Sequence, residues 1–347
     1  AKLVLRKYIP KAGGKLRPLG IPAIADKLLQ LAVAKILEAI YEQDFLSCSY
    51  GYRPRTSAHK AVKDLTSELK SGKYHVVVEA DIKGFFNAIN HDLLIDMLMK
   101  RIDDSSFLNL IRKWLKAGIL ETDGQVLHPL MGVPQGGSVS PILANIYLHY
   151  VLDEWFEETV RAHCTGHAYL CRYADDFVCA FQRDKDAQRF YKALIQRLAR
   201  FGLEVAADKT QIIEFSHCKA LAKTKFDFLG FEFRWIVGRS RKPLLMRRTS
   251  RNKLRASLAN FKAWFQKHSG LPKKILFAIL NRKLVGYYNY YGVTGNSQSL
   301  NSFVYQVIAL LFKWLNRRSQ RKSYKWEGFM ELVKCFGIVK PRILHAL

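Results

Sequence analysis

The tetrapeptide Tyr173-Ala174-Asp175-Asp176 constrains this 347-residue chain more than any other stretch. Its two adjacent carboxylates stand between residues 168–172 and 177–181, apolar and aromatic runs of strand character, so the pair is expected at the tip of a β-hairpin. Like charges a few ångström apart repel unless a cation lies between them, and hard divalent ions such as Mg²⁺ take oxygen ligands of this kind. A solvated turn is the competing reading, since Asp is common in turns. The chain supplies a control in Asp103-Asp104: Ser105-Ser106 and an amphipathic run follow, and the acids read as polar residues opening a helix.

Upstream, His75-Val76-Val77-Val78-Glu79-Ala80-Asp81 reads as a buried strand that delivers a carboxylate at its C-terminal end. Asp81 is the third acid expected in the site. Two Mg²⁺ ions about 3.5–4 Å apart, held by such acids, activate a 3′-hydroxyl and stabilise a leaving pyrophosphate, so the chemistry implied is nucleotidyl transfer. Between the acids lies Gly132-Val133-Pro134-Gln135-Gly136-Gly137-Ser138-Val139-Ser140-Pro141, ahead of an apolar-periodic segment over 142–159. Paired glycines let the backbone approach a ligand, Gln135 offers an amide, and Ser140-Pro141 is a good helix start. A simple turn before a helix is the alternative.

In this order, the strand ending in Asp81, Pro134-Gln135-Gly136 and Tyr173-Ala174-Asp175-Asp176 resemble motifs A, B and C of reverse transcriptases, most closely those of group II introns, also called maturases. Residues 9–22, 49–54 and Phe228-Leu229-Gly230-Phe231 also fit that family. The resemblance implies that Asp81, Asp175 and Asp176 are catalytic and bind two Mg²⁺ ions, with Ile82 in the metal set. It assigns Lys11 and Arg17 to the triphosphate of the incoming dNTP, the alternative being a solvated charged hairpin. Phe86 matches the bulky gate against C2′ of the sugar, with core packing as the competing reading. Gln135 and Gly136 would lie near the nascent base pair. Lys209, after Gly202-Leu203-Glu204, would protonate the pyrophosphate unless it is a surface lysine. Tyr173 and the primer-grip Gly230 would lie against nucleic acid.

The fold so implied is α+β: a right-hand polymerase whose fingers and palm hold an antiparallel sheet, followed by an α-helical thumb or X domain. The activity implied is RNA-directed DNA polymerisation, with RNA template, DNA primer, dNTP and group II intron RNA as partners in splicing and retrohoming. A maturase with unused polymerase activity, or a reverse transcriptase of CRISPR adaptation or phage defence, remains an alternative. An RNA-dependent RNA polymerase is disfavoured by Phe86. The family's N-terminal extension is expected to be absent or supplied by a separate partner protein, and its endonuclease domain to be missing.

Charge points the same way without any family. Residues 216–347 hold 27 Lys and Arg against 4 Asp and Glu, whereas the first 215 hold 29 against 25. Such a field attracts a polyanion and releases its counterions. Residues 239–255 carry eight basic residues and no acid, and residues 313–325 carry six and none. Arg239, Arg241, Arg247, Arg248, Arg251, Arg317, Arg318 and Arg321 are the expected nucleic-acid contacts, against the plainer reading of a solvated face. Trp264 and Phe277, at helical spacing, read as core.

Periodicity predicts helices over 24–42, 57–71, 91–101, 106–117, 140–162, 185–201, 250–267, 272–291, 299–319 and 326–336. It predicts strands over 15–21, 75–81, 119–122, 125–130, 168–172, 177–181 and 211–215, with hairpins over 226–247. Three segments follow: fingers and palm over 1–220, primer-grip hairpins and linker over 221–250, and a basic helical thumb over 251–347. No apolar run is long enough to span a membrane, no secretory signal is visible, and the six cysteines lack C-x-x-C spacing, so a cytoplasmic protein with reduced thiols is expected.

Overall fold

The computed structural model describes residues 1–10, 16–219, 224–238, 240–317 and 323–346. The chain divides into two compact units, Ala1–Ser216 and His217–Leu347. The hairpins expected as a linker thus fall within the second, basic unit.

In chain order the first unit comprises β1 (Val4–Pro10), β2 (Leu16–Ile21), α1 (Ile24–Tyr41), α2 (Ala58–Lys70), β3 (Val76–Ala80), α3 (Phe85–Ala88), α4 (His91–Met99), α5 (Ser105–Leu115), β4 (Ile119–Leu120), β5 (Val126–Leu127), α6 (Ser140–Leu148), α7 (Arg161–His163), β6 (Ala168–Tyr173), β7 (Asp176–Phe181), α8 (Asp184–Arg200) and β8 (Gln211–Glu214). Two sheets result. One has the order β2-β1-β4-β5; the other, β6-β7-β3-β8, is antiparallel throughout.

The second sheet is the scaffold of the unit. Its β3 is central, and the β-branched run Val76-Val77-Val78 is buried there. The helix α8 packs across it, with Ala187, Phe190, Leu194 and Leu198 buried at helical spacing. Caps match the sequence signals: Ser57 accepts from the Lys60 amide, Asn90 from that of Leu93, and Asp104 from those of Ser106 and Phe107. Asp103-Asp104 therefore opens a helix, as expected from the residues that follow it.

The predicted helix over 140–162 is continuous but not uniform. After α6, residues His149–Asp153 and Trp155–Val160 form π-helical turns before α7. This segment is buried on nearly every side through Asp153, so packing rather than intrinsic propensity sets its pitch. At 3.6 residues per turn, positions 145 and 153 would splay by about 80°. The wider turns bring Asn145 and Asp153 onto one partner, Arg172.

The second unit contains β9 (Lys225–Phe228), β10 (Phe231–Val237), β11 (Pro243–Thr249), α9 (Arg251–His268), α10 (Lys273–Tyr291), α11 (Ser297–Leu315) and α12 (Trp326–Phe336). The strands form an antiparallel sheet in the order β11-β10-β9. Leu229 and Gly230 both have positive φ, as the central pair of a type I′ turn requires. The helices close on an aromatic core in which Tyr287 stacks on Phe303 with ring centroids 3.7 Å apart. Phe277 is buried as expected, while Trp264 is half-buried, stacked on His268 with the Lys283 ammonium over its ring. Among the described residues no helix is long and apolar enough to cross a membrane.

Candidate active site

The hairpin β6–β7 turns through Ala174-Asp175, with Tyr173 paired to Asp176 and Arg172 to Phe177. Ala174 has φ +57°, a conformation uncommon outside glycine, so the turn needs support. The segment 48–52 provides it. The Arg172 amide donates to the Cys48 carbonyl, and the Tyr50 amide to that of Arg172. Gly51 lies so close that a Cβ there would collide with the backbone nitrogen of Ala174.

Beneath the turn lies a network that the sequence reading did not find. Arg172 is fully buried, and its guanidinium donates to Asp153 from Nε (2.7 Å) and Nη2, to Asn145 Oδ1 (3.1 Å), to Ser49 Oγ (2.7 Å) and to the carbonyl of Ala174 (3.1 Å). Asn145 in turn donates to the Gly51 carbonyl at 2.6 Å. Every arm of the guanidinium is thus used to hold the acid-bearing turn. The signal was period two: Arg172 shares a strand face with Ala168 and Leu170, and Asp153 interrupts an apolar helix.

The strand β3 pairs with β7 so that Ala80 faces Phe177. Carried one residue further, this register brings Asp81 level with Asp176 at the same end of the sheet. Asp81 and Asp175 both line a cleft of about 610 Å³, together with Arg17, Ile82, Phe86, Gln135, Gly136 and Lys209. Asp176 is exposed and not part of the lining; Tyr173 is half-buried beside it. Tyr52, Asp208 and Asn87, which the sequence reading passed over, line the cleft too. The Tyr52 phenol is pushed up by partial burial and by the negative charges of Asp175 and Asp176, with Arg17 opposing.

The loop carrying Gln135 is fixed from three sides. Its carbonyl accepts from the Gly20 amide of β2, the Val133 amide donates to the Phe86 carbonyl, and Ser140 Oγ donates to the Pro134 carbonyl. Gly136 has φ +118°, and a Cβ there would lie 2.6 Å from the Gly20 carbonyl oxygen. Arg17 and Gln135 are thereby brought to one wall, and Phe86 to the edge of the motif that starts at Asp81.

Lys209 Nζ makes an ion pair with Asp81. The hydrogen bond to Asp81 is the main cause of its raised pKa, with the charges of Asp81, Asp208 and Asp176 adding to it and partial burial opposing it. Among the described residues no group of three or more His, Cys, Asp or Glu side chains stands ready to hold a metal ion. What the structure brings together is three cleft carboxylates, Asp81, Asp175 and Asp208, a fourth, Asp176, at the adjacent strand end, and a lysine held by Asp81. Carboxylate oxygens of this kind fit Mg²⁺, and the ammonium on Asp81 marks a position that already draws a cation.

Of the remaining expected residues, Lys11, Arg239, Arg318 and Arg321 lie outside the described residues. Arg241 is exposed at the turn after β10, Arg251 is exposed at the start of α9, and Arg317 rests on Trp314. Gly230 is engaged internally, its carbonyl accepting from the Ser250 amide. Arg247, expected to meet nucleic acid, is buried: Nη2 donates to the Thr294 carbonyl, and it sits on the same strand face as Leu245 and Thr249. Burial also lowers its pKa.

A family model described as "Reverse transcriptase (RNA-dependent DNA polymerase)" matches residues 9–233, and one described as "Group II intron, maturase-specific domain" matches residues 254–330. The chain is 31% identical to the "Group II intron-encoded protein LtrA" of Lactococcus lactis subsp. cremoris over 386 residues, 87% of this chain and 62% of that protein. It is 39% identical to "Protein YkfC" of Escherichia coli over 203 residues, 50% of this chain and 52% of that protein. It therefore spans between about half and two thirds of these relatives' length. Among solved structures, a telomerase from Candida albicans in complex with a fragment of telomeric RNA superposes with TM-score 0.57 at 14% identity, covering 97% of this chain and 61% of that one. That likeness concerns the fold alone.

Proposed function

The chain belongs to the reverse transcriptase family and carries a group II intron maturase-specific domain, and from that membership we propose that it is an RNA-directed DNA polymerase that also binds intron RNA. The observation that carries the proposal is the single cleft into which five separated segments send Arg17, Asp81, Phe86, Gln135, Asp175 and Lys209. Nucleotidyl transfer needs this combination: acids for divalent ions, a cation for the triphosphate, an apolar wall for the sugar and a donor for the leaving group.

In this reading Asp81 and Asp175, with Asp176 and Ile82 beside them, hold two Mg²⁺ ions. When bound, those ions lower the pKa of the primer 3′-hydroxyl and neutralise charge on the triphosphate. Arg17 holds the triphosphate by charge-assisted hydrogen bonds, joined by Lys11. Phe86 packs against the deoxyribose face and leaves no room for a 2′-hydroxyl. Gln135 and Gly136 form the wall near the new base pair. Lys209, an ammonium held at the cleft by Asp81, supplies the proton to the departing pyrophosphate.

A role in splicing and retrohoming is supported by the match over residues 254–330 and by the basic excess of the second unit. The deciding experiment is extension of an oligo(dT) primer on poly(rA) with dTTP and Mg²⁺, alongside Asp175→Asn. Extension by the wild-type chain and its loss in the variant are expected; equal activity in both would remove Asp175 from the chemistry. A splicing assay with intron RNA and the Asp175→Asn chain separates the two roles: splicing is expected to survive.

A further inference from the structure

One face of β10 and β11 in the second unit carries Glu232, Arg234, Met246 and Arg248, with Glu232 opposite Arg248 and Arg234 opposite Met246. Beside it is a cavity of about 280 Å³ whose lining includes Arg234, Arg248, Arg251, Gln298, Ser299 and Ser302 and no acid. The three arginines are not equivalent. Arg248 is committed to Glu232, with Nε 2.8 Å and Nη2 2.7 Å from Oε1, and Glu232 also takes Lys225 at 2.7 Å. That carboxylate is therefore already matched by two cations.

Arg234 has no such partner among the described residues. Its Nη2 reaches only the Met246 sulfur at 3.9 Å, and its Nε is buried without a hydrogen-bond partner among the described residues. A buried guanidinium N–H without an acceptor is costly; Arg247 carries two in the packed interior, whereas Arg234 stands on the wall of the cavity, where its outer nitrogens can meet a ligand. Burial first, then the charges of Arg248 and Arg251, lower the pKa of Arg234, while Glu232 opposes them.

A second observation points to the same charge. The 19-residue α11 opens onto this cavity with no side-chain cap. Asn296, at its cap position, uses its side chain elsewhere: Oδ1 accepts from the Thr249 amide, and Nδ2 donates to Thr249 Oγ1 and the Tyr291 carbonyl. The first-turn amides of α11 are left for an outside acceptor, at the positive end of the helix.

We infer that this cavity holds one backbone phosphate of a bound nucleic-acid strand, with Arg234 and Arg251 as its charged contacts, Arg248 braced by Glu232, and the first turn of α11 completing the cradle. The inference deepens the nucleic-acid reading above and rests on it. A seat for a single phosphate fixes the register of a strand rather than reading its sequence. It makes one linkage different from its neighbours, which a diffuse basic surface does not do.

The test is binding of a fluorescein-labelled DNA primer on an RNA template to the full chain, read by anisotropy across a salt series. Arg234→Gln is expected to weaken binding on the order of tenfold and to flatten the slope of log K against log salt by about 0.9. Primers with a single uncharged methylphosphonate linkage are then scanned. One linkage is expected to weaken the wild type yet add nothing in Arg234→Gln. Should Arg234→Gln melt, Arg251→Gln, exposed at the helix start, takes its place.

Unchanged affinity and slope, or equal effects at every linkage in both proteins, would overturn the inference. So would thermal stabilisation by inorganic phosphate at constant ionic strength, lost in Arg234→Gln, with no linkage singled out; the cavity would then serve a free anion. No extension with a coupled linkage would sink the polymerase reading and leave the phosphate seat standing. Extension with uniform linkages would do the reverse.

Discussion

Arg172 Nη1 donates to the carbonyl oxygen of Ala174 at 3.1 Å, so the residue two positions before the turn ties down the turn's own apex. The same guanidinium is matched by the buried Asp153, and both side chains are fully shielded from water. A lysine there keeps the charge but cannot reproduce the fork that reaches Asp153, Asn145, Ser49 and Ala174 together. Arg172→Lys is therefore expected to lower kcat for primer extension about 100-fold with little change in KM for dTTP, the signature of displaced acids rather than lost binding. Arg172→Ala leaves Asp153 buried and unpaired, and is expected to cost about 3–5 kcal/mol in urea unfolding. An unaltered kcat in a folded Arg172→Lys chain would show the network to be structural only.

Phe86 lines the cleft while its ring packs against Phe85, with centroids 5.5 Å apart. Removing the ring opens space where a 2′-hydroxyl would sit. Phe86→Ala is expected to raise the efficiency of UTP relative to dTTP on poly(rA) by about tenfold or more. A loss of stability with the same nucleotide preference would assign Phe86 to packing alone.

The parts of this fold that were legible in the sequence are those governed by local periodicity. Alternation and β-branched runs located β3, β6 and β7, and Asp81 could be set at the end of its strand because the valines before it had no other use. The unread parts depend on partners distant in sequence. The π-helical turns after α6 arise from burial on all sides, which a 3.6-residue pattern does not encode. Arg172 and Arg247 have the same composition as surface arginines, and only strand phase distinguishes them: each shares a face with buried residues. Tyr52 and Asp208 enter the cleft from a loop and a turn, where no periodicity applies. The basic excess of the second unit was visible as a sum, but not its internal division between Arg248, paired to Glu232, and Arg234, which among the described residues forms no ion pair.

The ion pair between Lys209 and Asp81 sets two positive species in competition for one carboxylate. Lys209→Met removes the internal competitor and the proposed proton donor together, so its two effects run in opposite directions. Half-saturation by Mg²⁺, read from thermal stabilisation without nucleotide, is expected at a concentration a few-fold lower than in the wild type, because exposed pairs of this kind contribute little each. The rate of extension at saturating Mg²⁺ is expected to fall 10²-fold or more, the usual contribution of a positioned acid. An unchanged Mg²⁺ midpoint would mean that Lys209 and the ion do not share Asp81.

Asp186, in the first turn of α8, ties that helix to the Thr165-Gly166 turn that leads into β6, and so to the strand that carries the acids. Burial alone would raise the pKa of its carboxyl. The ion pair with Arg189 and the donors of Thr165 and Gly166 outweigh that effect and hold it below the usual carboxylate range. A depressed folded-state pKa adds stability that is fully present above the unfolded value of about 3.9 and is lost as pH falls through the lower folded value. Asp186→Asn turns an amide NH₂ toward donors and is expected to cost about 2 kcal/mol at pH 7 by urea unfolding. The gap between wild type and variant should narrow when the measurement is repeated near pH 3, because Asp186 of the unfolded wild-type chain then takes up a proton that the folded carboxyl resists, and the variant has no such group. A gap that stays constant between the two pH values would show that the Asp186 charge contributes nothing to holding α8 against the hairpin.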